Sequence, residues 1–209
     1  MKKNYVSNSQ ESVRMFKSSL LEGLSKVHFF VPIIIYLPVV LYCLYMAIFD
    51  AQQSAARIVI LLVSGLFVWT FIEYVLHRFV FHFVPKAEWA LRLHFIFHGV
   101  HHDYPSDKKR LVMPPSASIP LALGFFFLFR ALLPHHEDVY AFFASFIAGY
   151  LVYDIGHYAI HHFNFKGGIW KSIKKHHMLH HYQDPTKGYG VSSALWDKVF
   201  RSDFVEGQK

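Results

Sequence analysis

Cysteine is nearly absent from this chain of 209 residues. Cys43 stands alone, which excludes an internal disulfide framework and any cysteine-based zinc or iron–sulfur site. Charge is scarce too: Asp, Glu, Lys and Arg make up 17% of the residues, where a water-soluble domain carries about a quarter. No Gly/Ser-rich linker, low-complexity segment or internal repeat breaks the chain. Disordered, collagenous and disulfide-stapled classes are therefore excluded. No short apolar stretch with a small-residue cleavage site follows the basic N-terminus, so no removable signal peptide is expected.

Two residue classes are plentiful. Hydrophobic residues reach 54%, and the 16 histidines outnumber the 14 Asp and Glu. The apolar residues gather into four runs: Phe29–Phe49, Ile58–Phe81, Ile119–Leu133 (taken as the core of a span over 117–134) and Val139–His161. Each approaches the length that crosses a bilayer. Pro32 and Pro38 are expected to bend the first, and the short third, which holds Arg130, is expected to tilt, to let Arg130 snorkel or to begin nearer Pro115. Ahead of them, residues 1–28 form a polar, basic segment. Val13, Phe16, Leu20, Leu21 and Leu24 recur there at helical spacing, which predicts an amphipathic helix on the membrane surface.

The formal charge of +7 follows this topology. Cations concentrate in the N-terminus, in the connection 82–116 and in the tail 162–209, whereas Asp50–Arg57 and Pro134–Asp138 hold few. The bias places both termini and the middle connection on the cytoplasmic side. A nucleic-acid partner is not expected. The expectation is an all-α, multi-pass membrane protein with a cytoplasmic helical cap, residues 29–209 forming one membrane-embedded domain. A bacterial inner membrane and the endoplasmic reticulum both fit.

Apart from His28, His135 and His136, all histidines lie at the cytoplasmic ends of spans two and four or in the segments that follow. Four groups stand out: His77 and His82; His98, His101 and His102; His157 and His161; His177, His180 and His181. Positions i, i+3 and i+4 share a helix face, so three groups can each aim two or three imidazoles at one point. His77 and His82 are five apart, about 140° on a straight α-helix. They must address different metals, or the helix must end or wind differently between them.

Ten imidazoles packed on one membrane face cannot satisfy one another's nitrogens, and metal ions resolve that. Ten ligands over two ions give about five each, with room for an exogenous ligand. Structural zinc wants a closed shell of four. Imidazole suits several metals, but an open all-nitrogen pair at a membrane surface is best explained by dioxygen activation at iron, although zinc can occupy such a site in purified protein. Glu73 and Asp154, one turn before His77 and His157, are candidates to orient imidazoles and balance charge. A metal transporter or store would need a polar path through the bilayer, and the outer halves of the spans lack one.

The order HxxxxH, HxxHH, HxxxH and HxxHH resembles the fatty acid hydroxylase/sterol desaturase superfamily of integral-membrane di-iron enzymes. The runs EYVLHRFVFH (Glu73–His82), HFIFHGVHHDYPSDKKRLVMPP (His94–Pro115), YDIGHYAIHH (Tyr153–His162) and GYGVSSALWDKVF (Gly188–Phe200) are similar to its fatty acid 2-hydroxylase branch. The resemblance implies metal ligands at His77, His82, His98, His101, His102, His157, His161, His177, His180 and His181. His94, His162 and His176 lie next to these boxes, and His94, one turn before His98, is expected to play a supporting role. It implies oxygen insertion at carbon 2 of a long acyl chain, free or in a sphingolipid. A sterol or carotenoid hydroxylase or desaturase of the same superfamily is the alternative. The acyl chain is expected in a cleft lined by Phe and Leu of spans two and four, with Tyr153, Asp154, Tyr189 and Trp196 as lid or head-group contacts. Asp107, Lys108 and Arg110 are candidates to engage a head group. Nothing matches the haem-binding His-Pro-Gly-Gly motif of the cytochrome b5 domain many members carry. Electrons are therefore expected from a separate protein of cytochrome b5 or ferredoxin type. Phe200-Arg201-Ser202 also lacks the Gly-Thr common at that point.

Overall fold

The computed structural model describes residues 6–204. Lys2, Lys3 and Lys209, which contribute to the charge bias, lie outside the described residues. The described chain is all helical: α1 Ser19–Leu24, α2 Phe30–Tyr45, α3 Ala55–Val75, α4 Glu88–His94, α5 Val100–Asp103, α6 Pro115–Leu132, α7 Asp138–His162, α8 Gly168–Tyr182 and α9 Leu195–Val199. Three helices run on into π-turns, α2 through Met46–Asp50, α3 through Leu76–Phe81 and α4 through Phe95–Gly99.

Four helices are long and apolar enough to cross a membrane: Phe30–Asp50, Ala55–Phe81, Pro115–Leu132 and Asp138–His162. The third starts at Pro115, a position where a missing amide costs a helix nothing. Within its most apolar stretch α7 is 61% buried, against 11–22% for the other three. It is therefore the central helix, and α2, α3 and α6 pack around it while keeping their outer faces apolar. A Cβ at Gly65 would fall on the Phe142 carbonyl, and one at Gly149 on the Trp69 indole. These glycines let α3 lie directly on α7. Trp69, Phe129, Phe142 and Phe146 fill the remaining space edge to face, with Phe125 tilted against Phe146. At the end away from the histidines, Arg57 donates to both oxygens of Asp138, at 2.7 and 2.6 Å.

The N-terminal segment departs from the expected helix over Val13–Leu24. Only Ser19–Leu24 is helical, and the residues before it cross the molecule as an irregular strap. The cause is Glu22, whose carboxylate accepts the amides of Met15 and Phe16 at 2.9 and 3.1 Å and so folds the chain back on itself. Arg110 reaches the strap from the connection before α6 and donates to Glu22 at 2.6 Å, to the Val13 carbonyl at 2.6 Å and to Ser25 at 2.8 Å. Asp107 accepts the Ser12 hydroxyl at 2.6 Å. Arg110 and Asp107, two of the expected head-group contacts, are buried and fasten the strap.

Burial pushes the Glu22 pKa up, but Lys26, the Phe16 and Met15 amides and Arg110 outweigh it and bring the carboxyl down to about 2. A carboxyl lowered on folding stabilises above its unfolded value and loses that contribution as pH falls through its folded one. The hold on the strap is therefore complete above about pH 4.5 and disappears towards pH 2. Hydrogen-exchange protection of the Met15 and Phe16 amides, corrected for intrinsic rates, is expected to be constant from pH 5 to 7 and to fall over the acid range.

Candidate metal centre

Ten histidines from α3, α4, α5, α7 and α8 meet at one end of the bundle in two groups. His77, His82, His98, His102 and His180 bring one ring nitrogen each to within 4.8 Å of one another. His101, His157, His161, His177 and His181 do the same beside them. The groups touch where the His102 and His181 rings stack with centroids 4.2 Å apart.

The division cuts across the sequence boxes. In HGVHH, His98 and His102, four apart, enter the first group while His101 turns to the second. In HMLHH, His177 and His181 enter the second group and His180 the first. Of the two or three imidazoles that each HxxHH box could aim at one point, the structure brings two together and sends the third to the neighbouring group. On one helix, positions i and i+4 point together, whereas i+3 is rotated far enough to reach a neighbouring centre. The HxxxxH pair is brought together by the π-turn Leu76–Phe81, in which the His82 amide donates to the His77 carbonyl at 3.0 Å. That i to i+5 bond widens the turn and puts both rings on one face. Of the two possibilities open in the sequence, the structure takes the altered winding, and both residues join one group.

The donor set fits metal ions. Neighbouring Nε2 atoms stand 3.0–3.2 Å apart in the first group and 2.9–3.0 Å in the second. Two nitrogens held about 2.1 Å from one ion at right angles are ~3.0 Å apart. Hydrogen bonding among the rings cannot account for the arrangement. His77 donates from Nδ1 to the Tyr189 carbonyl, and His180 does so to the Lys187 carbonyl at 2.6 Å. Both therefore direct an Nε2 lone pair into the same small space. In the second group the buried His101 Nε2 has no hydrogen-bond partner among the described residues. Burial, reinforced by neighbouring imidazoles, holds His98, His101, His102, His177 and His181 well below the ordinary histidine value. His82 is brought to about 2 in the same way. For His180 burial lowers the value to about 4 against the opposing pull of the Lys187 carbonyl and Asp197. Neutral imidazoles are the form that binds a metal.

The carboxylates chosen by spacing do something other than orient imidazoles. Glu73 accepts the amides of Val191 and Ser192, each at 2.8 Å, and the Ser192 hydroxyl. Asp154 accepts the Met113 amide at 3.2 Å and the Tyr150 hydroxyl at 3.1 Å. Each pins a connection that passes over its helix. Backbone carbonyls orient His77 and His180 instead, and the group that controls them is Asp197, which sequence reasoning missed. Fully buried, it accepts the amides of Tyr189 and Gly190 at 2.9 and 2.7 Å and the Ser202 hydroxyl at 2.8 Å. Its sequence signal is the Gly188-Tyr189-Gly190 run: Gly188 has φ +69°, and a Cβ at Gly190 would meet Asp197.

A cavity of about 340 Å³ opens onto both groups, with His98, His101 and His157 in its wall. It continues into an apolar groove of about 660 Å³ between the end of α3, α4 and the start of α6. Both sizes lie in the ~300–1,000 Å³ range of small-molecule sites. Of the lining expected from spans two and four, span two supplies Phe81 to the cavity and Leu76, Val80 and Phe81 to the groove, while Gly65 and Gly149 bring α3 and α7 into direct contact farther along. Of α7, only Tyr153, Asp154 and His157 line the cavity. Tyr189 is buried against His77, His82 and His180 under the Arg78 guanidinium. Trp196 packs on Phe67, Phe71 and Phe200 and donates to Thr70 at 3.0 Å. Neither is in the cavity wall. His94 lines the groove, His162 packs against the Tyr158 ring, and His176 lies 3.3 Å from Asp197.

Residues 62–202 match the family model described as fatty acid hydroxylase. The chain belongs to the fatty acid hydroxylase family. Among its relatives in that family, the dihydroceramide fatty acyl 2-hydroxylase FAH1 of Arabidopsis thaliana is 38% identical over 192 residues, 92% of this chain and 80% of that protein. The ceramide very long chain fatty acid hydroxylase SCS7 of Saccharomyces cerevisiae is 42% identical over 185 residues, 87% of this chain and 47% of the yeast protein. The fatty acid 2-hydroxylase of Homo sapiens is 35% identical over 210 residues, 91% and 56%. A solved structure of full-length scs7p, with only the hydroxylase domain visible, superposes with a TM-score of 0.84 at 40% identity, covering 90% of this chain and 70% of that one.

Proposed function

We propose that this hydroxylase acts on long-chain acyl groups of membrane lipids, inserting oxygen at carbon 2, with its ten histidines holding two iron ions. The observation that carries this reading is the single apolar cavity whose wall includes His98, His101 and His157, ligands from both groups. The names of the relatives support the acyl position. The two ions, when bound, supply the reductive activation of dioxygen that an unactivated C–H bond demands. One oxygen atom enters that bond and the other leaves as water, so two electrons and two protons are consumed.

The protein's share is placement. The acyl tail lies in the groove among Leu76, Val80, Phe83 and Leu121, which opens toward the lipid-facing side. The carbonyl end lies in the cavity, where apolar walls exclude water from the reacting carbon. The bias of basic residues supports a cytoplasmic position for this end of the bundle. A separate electron-transfer protein of cytochrome b5 or ferredoxin type has a basic landing site in the exposed Lys171 and Lys175 of α8, the helix that carries three of the histidines. Lipid mass spectrometry of cells with and without the protein tests the reading. It should reveal 2-hydroxyacyl lipids only with the protein, and a changed sterol or carotenoid in their place would overturn it.

A further inference from the structure

The cavity has one wall built from residues that precede the family match, which begins at residue 62. Met15, Phe16, Leu21 and Leu24 line the same space as His98, His101 and His157. The strap that carries them is held at those positions. Glu22 binds the Met15 and Phe16 amides, and Arg110, itself in the wall and with a side chain 2% exposed, binds Glu22 and the Val13 carbonyl. Asp107 fastens Ser12. This is more anchoring than a chance crossing of the surface needs.

The two sides of the cavity differ. Phe81, Leu93, Phe97 and Met113 are shared with the groove that leads along the spans, whereas the strap residues line the cavity alone. A tail that follows the groove leaves the strap side to the rest of the lipid. Leu21 and Leu24 remain 49% and 54% exposed at the cavity's margin, beside Leu20 at 72%. An apolar turn of this kind next to four membrane spans rests in the lipid interface, where a lipid must pass to enter.

We propose that residues 12–25 form the specificity-determining wall of this cavity, with Phe16 and Leu21 packing on the part of the lipid beyond the acyl carbonyl. The inference rests on the acyl-lipid reading above and names which segment selects among such lipids. Contacts with non-reacting parts of a substrate govern discrimination because their binding energy is used in the transition state. The bulk of a few methylenes is worth about 10–200-fold in selectivity.

The test uses the full chain, metal-loaded, in mixed micelles. Leu21→Trp, at a half-exposed position that tolerates bulk, places an indole on the wall. A two-chain acyl lipid brominated on the chain beyond the carbonyl should quench its fluorescence in excess of the wild-type signal, and the same lipid brominated at the acyl tail should not. With lipids that share an acyl chain but differ in the group on the carbonyl, Phe16→Ala should change their ratio of kcat/KM at least fivefold at unchanged metal content. Excess quenching by the tail bromine alone, or none by either, overturns the proposal. So does an equal loss of kcat/KM for every lipid accompanied by loss of metal, which is what a merely structural strap gives. If the wild type oxidises no acyl lipid, the functional reading fails, while the quenching result still decides whether the strap meets lipid.

Discussion

Alanine at His98 is expected to reduce metal content from two ions per chain to one and to bring hydroxylation below about 1% of the wild-type rate. His98 is the hub of the first group: its Nε2 lies 3.1 Å from those of His77 and His82 and 3.0 Å from that of His102. Removing even an outer-shell partner costs about 10–100-fold in metal affinity or activity, and loss of a ligand costs at least as much. The second group shares no residue with the first and keeps all five nitrogens. Its ion should therefore remain, and elemental analysis of the purified variant would count one. His177→Ala, at the corresponding hub of the second group, should give the mirror result. His162→Ala is the informative contrast. In sequence His162 is the second member of a His–His doublet, but its ring packs against Tyr158 and enters neither group. That variant should keep both ions. Two ions in His98→Ala, or one in His162→Ala, would refute the assignment of ligands.

These contrasts show where the sequence stops being informative. The spans and the boxes are legible because apolar length and i, i+4 spacing are local properties that a helix converts directly into geometry. The sorting of HxxHH between two centres is not local: it depends on how α5 and α8 are rotated against α3 and α7, which only packing decides. The HxxxxH spacing announced its own difficulty, and a π-turn resolved it. The hydrogen-bond partners of the carboxylates are hidden in the sequence for the same reason as the sorting of the boxes. Spacing places Glu73 on the face of His77, but it says nothing of the loop Val191–Ser192 that crosses that face from more than a hundred positions away. The apolar period over Val13–Leu24 does not mark a continuous helix. It arises because Phe16, Leu21 and Leu24 face one cavity, and a buried glutamate interrupts the helix that the period suggests.

Asparagine at Asp197 is expected to weaken the first ion selectively, by about 10–100-fold, without touching a ligand. The two carbonyls that orient first-group imidazoles belong to Lys187 and Tyr189, in a loop whose Lys187 and Gly188 amides donate to the Asp184 and Ser202 carbonyls at 3.2 and 2.8 Å. Glu73 holds its far end at Val191 and Ser192, and Asp197 holds the Tyr189 and Gly190 amides. Burial pushes the Asp197 pKa up, but His176, the Gly190 and Tyr189 amides and Ser202 outweigh it, and the carboxyl lies below its ordinary value. It is therefore charged at neutral pH and accepts through both oxygens. Asparagine has nearly the same shape but offers one oxygen, so its NH2 group must face one of the two amides, donor against donor. A buried donor left unpaired costs about 1–3 kcal/mol. The least costly relief is a shift of the loop, which carries the two carbonyls away from His77 and His180. None of the residues that bond Asp197 belongs to the second group, so titration with a chelator should release one ion early and the other at the wild-type concentration. Equal weakening of both ions would mean that Asp197 merely stabilises the fold. No weakening would mean that the carbonyls do not set the orientation of the rings.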